Sequence, residues 1–458
     1  MTAGAMSSYM SFCGNEIVNA ARLQAYVNNG LSPYHVKCGG CEGLEDILPC
    51  VGTPSQPEPP VGGYNLPELD MAPWYDPAAP ESKNFAGLLV TSVQVSSPYT
   101  RSTTPNIGIG QTLGRLKLSG RTITVHGWLI GKTCCATQYG LRWLTTALGE
   151  PPCSGDCGGC DLDFLECCPS IGTGEDDCLH LSDGSVYVRP NSESEYERAE
   201  DFFRRMYGVG VVSGPDVISC RGNTCGCGCS ALTEVEFVLA SSSPYLNSQG
   251  TPIITDLSPE PCDPNEPCNF VWSVGAGECI DEDCAPAPDC KEDPICPLPA
   301  LPPAPKVPPG TCGCFPQTAR RVCGTTTPRK EWGSSTVDIE IHAGSEDLRA
   351  AVVRVFQNPT QLDCGDETTF PDCNACSTLI VSFVPKGGIF RFSGSRREVT
   401  IECGGQITNA AQNAFNAEGY PFDWPDITCQ PICVCVDFAC ETTAPDAKVS
   451  VTRVDRDL

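Results

Sequence analysis

Residues 116–148, LKLSGRTITVHGWLIGKTCCATQYGLRWLTTAL, decide the fold class. The first half alternates polar and apolar, which gives two period-2 strands around a glycine-containing bend. On that spacing Ile123, Val125 and, across Gly127, Leu129 share one face. The second half changes period. Ala136, Tyr139, Gly140, Trp143, Leu144 and Ala147 recur at three- and four-residue steps, which predicts a helix over 134–148. Gly149 and Pro151-Pro152 end it, as expected of a helix C-terminus. The expected core of this region is therefore Ile123, Val125, Leu129, Trp143 and Leu144, and truncating Trp143 to alanine should cost ~3–5 kcal/mol.

Working outward, the same strand logic applies to 88–95, 185–189, 209–212 and 232–239. A charged segment, 195–207, has Ala199, Phe202, Phe203 and Met206 spaced for a short helix. Residues 258–311 are rich in proline, acid and cysteine, and 298–309 is nearly polyproline, so it reads as a stiff linker or stapled knob. Clean alternation resumes at 336–342, 379–384 and 389–392 and continues to 447–454. Short strands at regular spacing, with no long helix, predict a β-sandwich. The expected architecture is mainly β (α+β): a β-barrel-like domain with a packed helix over 1–257, the linker over 258–311, and a sandwich over 312–458.

Composition bounds the function. The 458 residues carry 45 Gly and 42 Pro, a turn-rich load that disfavours a helix bundle. Lys and Arg number 29 against 56 Asp and Glu, for a formal net charge of −27, which disfavours nucleic acid as a partner. No apolar run reaches the ~18 residues of a membrane span. The first residues lack the basic and apolar regions of a secretory signal. Yet the chain holds 33 cysteines, a density suited to an oxidising exterior.

The cysteine spacings leave three states open: disulfides, a thiolate-dominated zinc site, or reduced thiols. Cys38/Cys41, Cys157/Cys160 and Cys373/Cys376 are C-x-x-C pairs. Cys153 and Cys178 bracket an acidic insert, and Cys225 and Cys229 end a tight C-G-C-G-C run. These ten are the candidate disulfide cysteines. Neighbouring acids such as Asp156, Asp161, Asp176 and Asp177 oppose thiolate formation and so weigh against zinc. No cofactor is otherwise expected.

No Gly-x-Ser-x-Gly or His-Glu-x-x-His occurs, and an enzymatic role is not expected. His126 sits in an alternating strand and reads as structural or solvent-facing rather than as the partner of Cys134 or Cys135. Asp161, Asp163 and Glu166 read as solvated acids. Trp74, Tyr75, Trp272, Trp332 and Trp424 are the aromatic residues that a sugar groove would use, while Trp128 and Trp143 read as core. Trp424, within Pro421–Pro425, also fits a surface anchor against a neighbour.

Several segments carry a family resemblance. SYMSFCGNEIVNAARLQAYV (8–27) resembles the opening strand of minor tail proteins of phages that infect actinobacteria. DMAPWYDPAAPESKNFAGLLVTSV (70–93) is similar to the family's aromatic Pro-Trp-Tyr segment that leads into a strand of the tail-end domain. Residues 120–148 and 232–246 resemble its strand-strand-helix core and final strand. FRFSGSRREVTIECGG and the 419–454 region are similar to the sandwich that ends many siphophage tail-tip proteins.

The resemblance implies a distal-tail or minor-tail component without catalytic activity. Such a protein forms a ring, usually six-fold, and joins the tail tube to the host-binding tip. Its partners would be its own copies and other tail proteins. Its place would be the virion tail tip, reached by synthesis in the host cytoplasm and release by lysis, which also accounts for cysteines without an export signal. The alternative is a tail-tip adhesin that binds host cell-wall carbohydrate. Thiol titration with and without a chelator separates the cysteine states. Disulfides leave the titre low and unchanged, whereas zinc sites raise it on chelation.

Overall fold

The computed structural model describes residues 6–32, 63–105, 111–149, 159–166, 178–180, 186–188, 197–198, 202–221, 231–248, 250–258, 271–274, 311–314, 319–327, 333–357, 375–416, 420–422, 424, 427–428, 431–439 and 443–457. The fold is mainly β, with two compact units, Met1–Gln249 and Gly250–Asp457. Of the expected linker 258–311, residues 258, 271–274 and 311 are described; the rest lies outside the described residues.

The first unit begins with β1 (Tyr9–Phe12), β2 (Asn15–Asn19) and helix α1 (Ala20–Tyr26). β3 (Phe85–Val95) and β8 (Thr122–Gly131) enclose four short strands: β4 (Tyr99–Thr100), β5 (Thr103–Pro105), β6 (Gln111–Leu113) and β7 (Lys117–Leu118). Helix α2 (Cys134–Ala147), β9 (Cys160–Leu165), β10 (Cys178–His180), β11 (Val186–Val188), β12 (Glu197–Arg198), β13 (Phe203–Arg221), β14 (Leu232–Ser241) and β15 (Leu246–Ser248) complete it. One antiparallel sheet runs β2-β1-β9-β13-β14-β8-β3. β10–β12 form a separate three-stranded sheet. The end strands β2 and β3 pack against each other, and among the described residues no ladder joins them. The barrel-like half is thus a rolled, open sheet in its hydrogen bonding.

The alternation in the sequence places the core. β14 is buried at every second residue, with Val235, Phe237 and Leu239 inward, and on β8 Ile123, Val125 and Leu129 are fully buried. Helix α2 is capped at its N-terminus by the Thr133 hydroxyl, which accepts from the Ala136 amide at 3.2 Å. Its inward face presents Ala136, Gly140, Leu144 and Ala147, while Trp143 is half-buried at the margin. Gly140 is required by closeness: a Cβ there would fall 2.2 Å from the Phe85 ring.

The gap between α1, β3 and α2 is filled by Trp74 from the segment before β3. Its indole meets Phe85 at 5.2 Å, Trp143 at 5.2 Å and Tyr26 at 6.1 Å, each edge to face. The indole N–H donates to the Phe85 carbonyl at 3.0 Å, and the Tyr139 hydroxyl donates to the Trp74 carbonyl at 2.7 Å. Trp74 is therefore a core residue rather than part of a sugar groove.

The segment 195–207 differs from the helix read from its spacing. Residues 197–198 are β12, and β13 starts at Phe203. Ladder partners on both sides, β9 and β15, hold 203–206 extended, and Phe203 meets the Tyr9 ring at 5.6 Å. Tertiary pairing overrides the local period here.

The second unit contains β16 (Thr251–Leu257), β17 (Val271–Val274), β18 (Thr311–Cys314), β19 (Ala319–Thr326), β20 (Ser334–His342), β21 (Leu348–Gln357) and β22 (Ser377–Val384). It continues with β23 (Ile389–Ser393), β24 (Glu398–Cys403), β25 (Gln406–Asn409), β26 (Ala414–Phe415), β27 (Ile427–Thr428), β28 (Ile432–Ala439) and β29 (Lys448–Asp457). One sheet runs β16-β29-β20-β23-β24-β25 and the other β19-β28-β21-β22-β26. Ile339, Phe390 and Val451 of the first share a core with Val353, Val381 and Val436 of the second, which makes a sandwich. β17 and β18 pair as a hairpin. Trp424 is half-buried and stacks on Phe392 with ring centroids 4.6 Å apart, so its face is taken up within the unit.

The burial difference between the two tryptophans gives a direct check. Trp74→Ala should lower stability to denaturant by ~3–5 kcal/mol, the cost of emptying an aromatic core position. Trp143→Ala, from a half-buried position, should lose less. Equal losses, or a larger loss at Trp143, would show the wedge to be misassigned.

Candidate functional site

The residues singled out from sequence are not brought together as a reaction centre. His126 lies on β8 with Nδ1 3.1 Å from Glu236 Oε2 on β14, directly across the ladder. Cys134 is buried at the start of α2, and Cys135 is an exposed free thiol. His342 pairs with Glu340 on β20 at 2.8 Å. The expected solvated acid Asp163 is instead buried and ion-paired to Arg205 of the adjacent strand, and Glu166 meets Arg204 at 2.7 Å. Among the described residues no group of three or more His, Cys, Asp or Glu side chains is arranged to hold a metal ion.

Of the candidate cysteines, Cys160 closes a disulfide with Cys13, 147 residues away, tying the β1–β2 turn to β9. Cys376 is an exposed free thiol. Cys178 lies on β10. Cys38, Cys41, Cys153, Cys157, Cys225, Cys229 and Cys373 lie outside the described residues. A second disulfide, Cys323–Cys435, bridges directly opposed residues of β19 and β28.

A buried polar cluster resembles a site at first sight. The Arg22 guanidinium lies 2.8 Å from Glu16, with both side chains almost wholly buried, and it stacks 4.5 Å over the Tyr64 ring. Asn19 caps α1 through the Arg22 amide at 3.0 Å and donates to Glu16 at 3.0 Å and to the Tyr64 hydroxyl at 3.1 Å. Burial pushes the Glu16 carboxyl up while Arg22 pulls it down, and burial raises the Tyr26 phenol. Every partner is internal, and Tyr64 seals the cluster. It fastens α1 to the segment that delivers Trp74.

Among the described residues, the far half of β13 has a ladder partner on one side only. Residues 203–209 pair with β9, but from Gly210 to Arg221 the strand pairs only with β14 among the described residues. Its free edge carries three register breaks. They fall at Val211/Ser213, Ser213/Asp216 and Val217/Ser219, so Val212 and Ile218 are extra residues within the ladder. Both point outward: Val212 is 63% exposed, Ile218 55% and Val217 47%.

Two grooves run between this edge and α2. One of about 390 Å³ is lined by Thr137, Gln138, Leu141, Arg142, Val217 and Cys220, with Thr233 at its floor. The other, of about 360 Å³, lies beside Val211, Gly214 and Leu148. Apolar side chains turned outward along an open edge are a common feature of surfaces that meet another protein. The bulges and Pro215, which has no N–H, interrupt the row of backbone donors, so side chains and grooves are the main features of this edge. The sequence carried a signal for this edge that spacing alone did not resolve: a V-V-S-G-P-D-V-I run in which apolar pairs flank a glycine-proline break.

No family model and no curated protein matches the chain. Among solved structures, 82% of the chain overlays 96% of the Dit protein of phage SPP1, with a TM-score of 0.31 and 10% identity. The phage p2 baseplate in its activated conformation with Sr gives 80% and 90% coverage, TM-score 0.33 and 8% identity. The same baseplate with Ca gives 78% and 92%, TM-score 0.31 and 8% identity.

The buried cluster has its own test. Glu16→Gln leaves Arg22 without a counter-charge and should cost ~3–5 kcal/mol of unfolding free energy. A loss below ~0.5 kcal/mol would show that Arg22 is not held by Glu16.

Proposed function

We propose that the chain is a structural component of a phage tail tip, of the distal-tail or minor-tail kind, in which copies assemble into a closed ring joining the tail tube to the host-binding tip. The observation that carries this reading is the open edge of β13, with Val212, Val217 and Ile218 turned to solvent beside two grooves. Exposed apolar groups on an unpaired edge are costly for a chain that works alone, and contact with another protein removes them from water. The same edge cannot face itself and also close a many-fold ring. A ring needs a heterologous contact, edge to a different surface, repeated until it closes.

The sequence resemblance supports the same reading at a telling place. Its most specific piece, the APWYDP segment at 72–77, contains Trp74, the residue around which the first unit packs. The polar clusters described above are internal to the fold: Glu16–Arg22 joins β2 to α1, and Asp163–Arg205 joins β9 to β13. The six-fold count, the tail neighbours and the virion location belong to this proposal as what the resemblance implies.

Light scattering and negative-stain imaging of the purified full chain test it. Wild type should form closed rings of uniform mass. Val212→Asp with Ile218→Asp should shift the population to single chains, with a melting temperature within a few degrees of wild type, since both residues are exposed. A wild-type chain that remains single at every concentration contradicts the proposal.

A further inference from the structure

Acid is unevenly spread along this chain, and 82–149 is its longest acid-free stretch; shorter ones that also carry Lys and Arg lie at 294–330 and 373–397. Residues 82–149 contain no Asp or Glu, yet carry seven of the 29 Lys and Arg. The other 390 residues hold all 56 acids against 22 Lys and Arg. This acid-free segment spans β3, β4–β7, β8 and α2.

At its centre is a two-stranded arm. β4 pairs with β7 and β5 with β6, so the chain leaves the β3–β8 ladder as a ribbon and returns. Backbone bonds from Ser119 to the Pro98 carbonyl and from Gly114 to the Ser102 carbonyl, both 2.8 Å, continue it. Residues 106–110 at the turn lie outside the described residues. A two-stranded ribbon is marginally stable in water by itself. Here it exposes Tyr99 (47%), Leu113 (57%), Leu116 (45%) and Leu118 (46%). Arg101, Arg115 and Lys117 are also exposed, and among the described residues none of them is ion-paired. Elsewhere in the segment Lys83 bonds Glu68 at 2.7 Å and Arg121 donates to the Pro244 carbonyl at 2.8 Å, while Lys132 before α2 and Arg142 on it are exposed. The arm is thus both apolar and cationic on a chain of net charge −27.

We propose that this arm docks on a second copy of the chain, across the open edge of that copy's β13. The two surfaces match in apolar character, and the arm's cations match Asp216 on the strand; Arg142, which lines the adjoining groove, is a cation beside the edge that a docked arm must avoid. The arm offers Tyr99, Leu113, Leu116 and Leu118 with Arg101, Arg115 and Lys117. The edge offers Val212, Val217 and Ile218 with the exposed carboxylate of Asp216. Copies that each carry a strong net negative charge repel one another, and an acid-free cationic arm is the element that overcomes this at the contact. The contact is heterologous, arm to edge, which is the kind a closed ring requires. This inference rests on the assembly reading above and names the surfaces that meet.

The test uses the full chain with three sets of charge changes, followed by light scattering over a concentration series. Reversal of the arm (Arg101→Glu, Arg115→Glu, Lys117→Glu) should raise the concentration needed for assembly about tenfold or more, as expected when attraction to Asp216 becomes repulsion between two acidic surfaces. Added salt screens the repulsion between acidic copies as well as the arm–edge attraction, so it should favour the arm variant relative to wild type and narrow the gap between their assembly concentrations. Asp216→Lys should also weaken assembly, and adding it to the arm reversal should recover part of the loss. Lys448→Glu, an exposed reversal on β29 of the second unit, should leave assembly unchanged. Melting temperatures report whether each variant is folded. An arm-reversed chain that assembles as wild type does overturns the arm proposal and leaves the ring reading standing. Arm and Asp216 losses that simply add overturn the pairing of these two surfaces. A wild-type chain that never assembles removes both readings.

Discussion

The Trp74 indole holds the first unit together. It reaches from a segment outside regular structure into the space where α1, β3 and α2 meet, and its edge-to-face contacts touch an aromatic residue from each. Its N–H is satisfied by the Phe85 carbonyl, so this large side chain enters the core without an unpaired polar atom. Around it the fit is close: Gly140 on α2 has no room for a Cβ beside Phe85, and a Cβ on Gly87 would press on the indole at 3.2 Å. The buried Glu16–Arg22 pair and Tyr64 fasten the same segment to α1 from the other side. With the helices so fixed, the sheet can leave one stretch of β13 open without losing its shape.

Much of this architecture was legible because the relevant patterns are local. The alternation of Ile123, Val125 and Leu129 marks a half-buried strand wherever it occurs, and the change to three- and four-residue steps at Cys134 marks a helix. What spacing could not show depends on distant partners. Trp74 sits in a polar, proline-rich stretch, so its burial is decided by α1 and α2 rather than by its neighbours. Phe202, Phe203 and Met206 have helical spacing, yet strands on both sides of 203–206 determine the conformation. Cys160 lies three residues from Cys157, but its bond in the structure is to Cys13, since the β1–β9 ladder brings the two together. Asp163 looks solvent-facing among other acids until Arg205 is placed across from it.

The functional surface was the least legible part, for the same reason. Bulges that turn Val212 and Ile218 outward depend on how β13 and β14 match in register, and an unpaired edge is a property of the whole sheet. The charge asymmetry, by contrast, is visible in sequence, but it gains meaning only when the ribbon between β3 and β8 is seen to expose it. A net-acidic chain with a cationic, apolar arm and an apolar edge carries two unlike surfaces, which is what head-to-tail contact uses.

Amide hydrogen exchange across a dilution series tests the central claim most directly, because it reads the edge itself. If β13 is an assembly interface, amides in 210–221 exchange quickly when the chain is dilute and become protected when it is concentrated, while β16 and β25 do not change. If 210–221 exchanges at one rate across all concentrations, the open edge is not where copies meet, and the account fails.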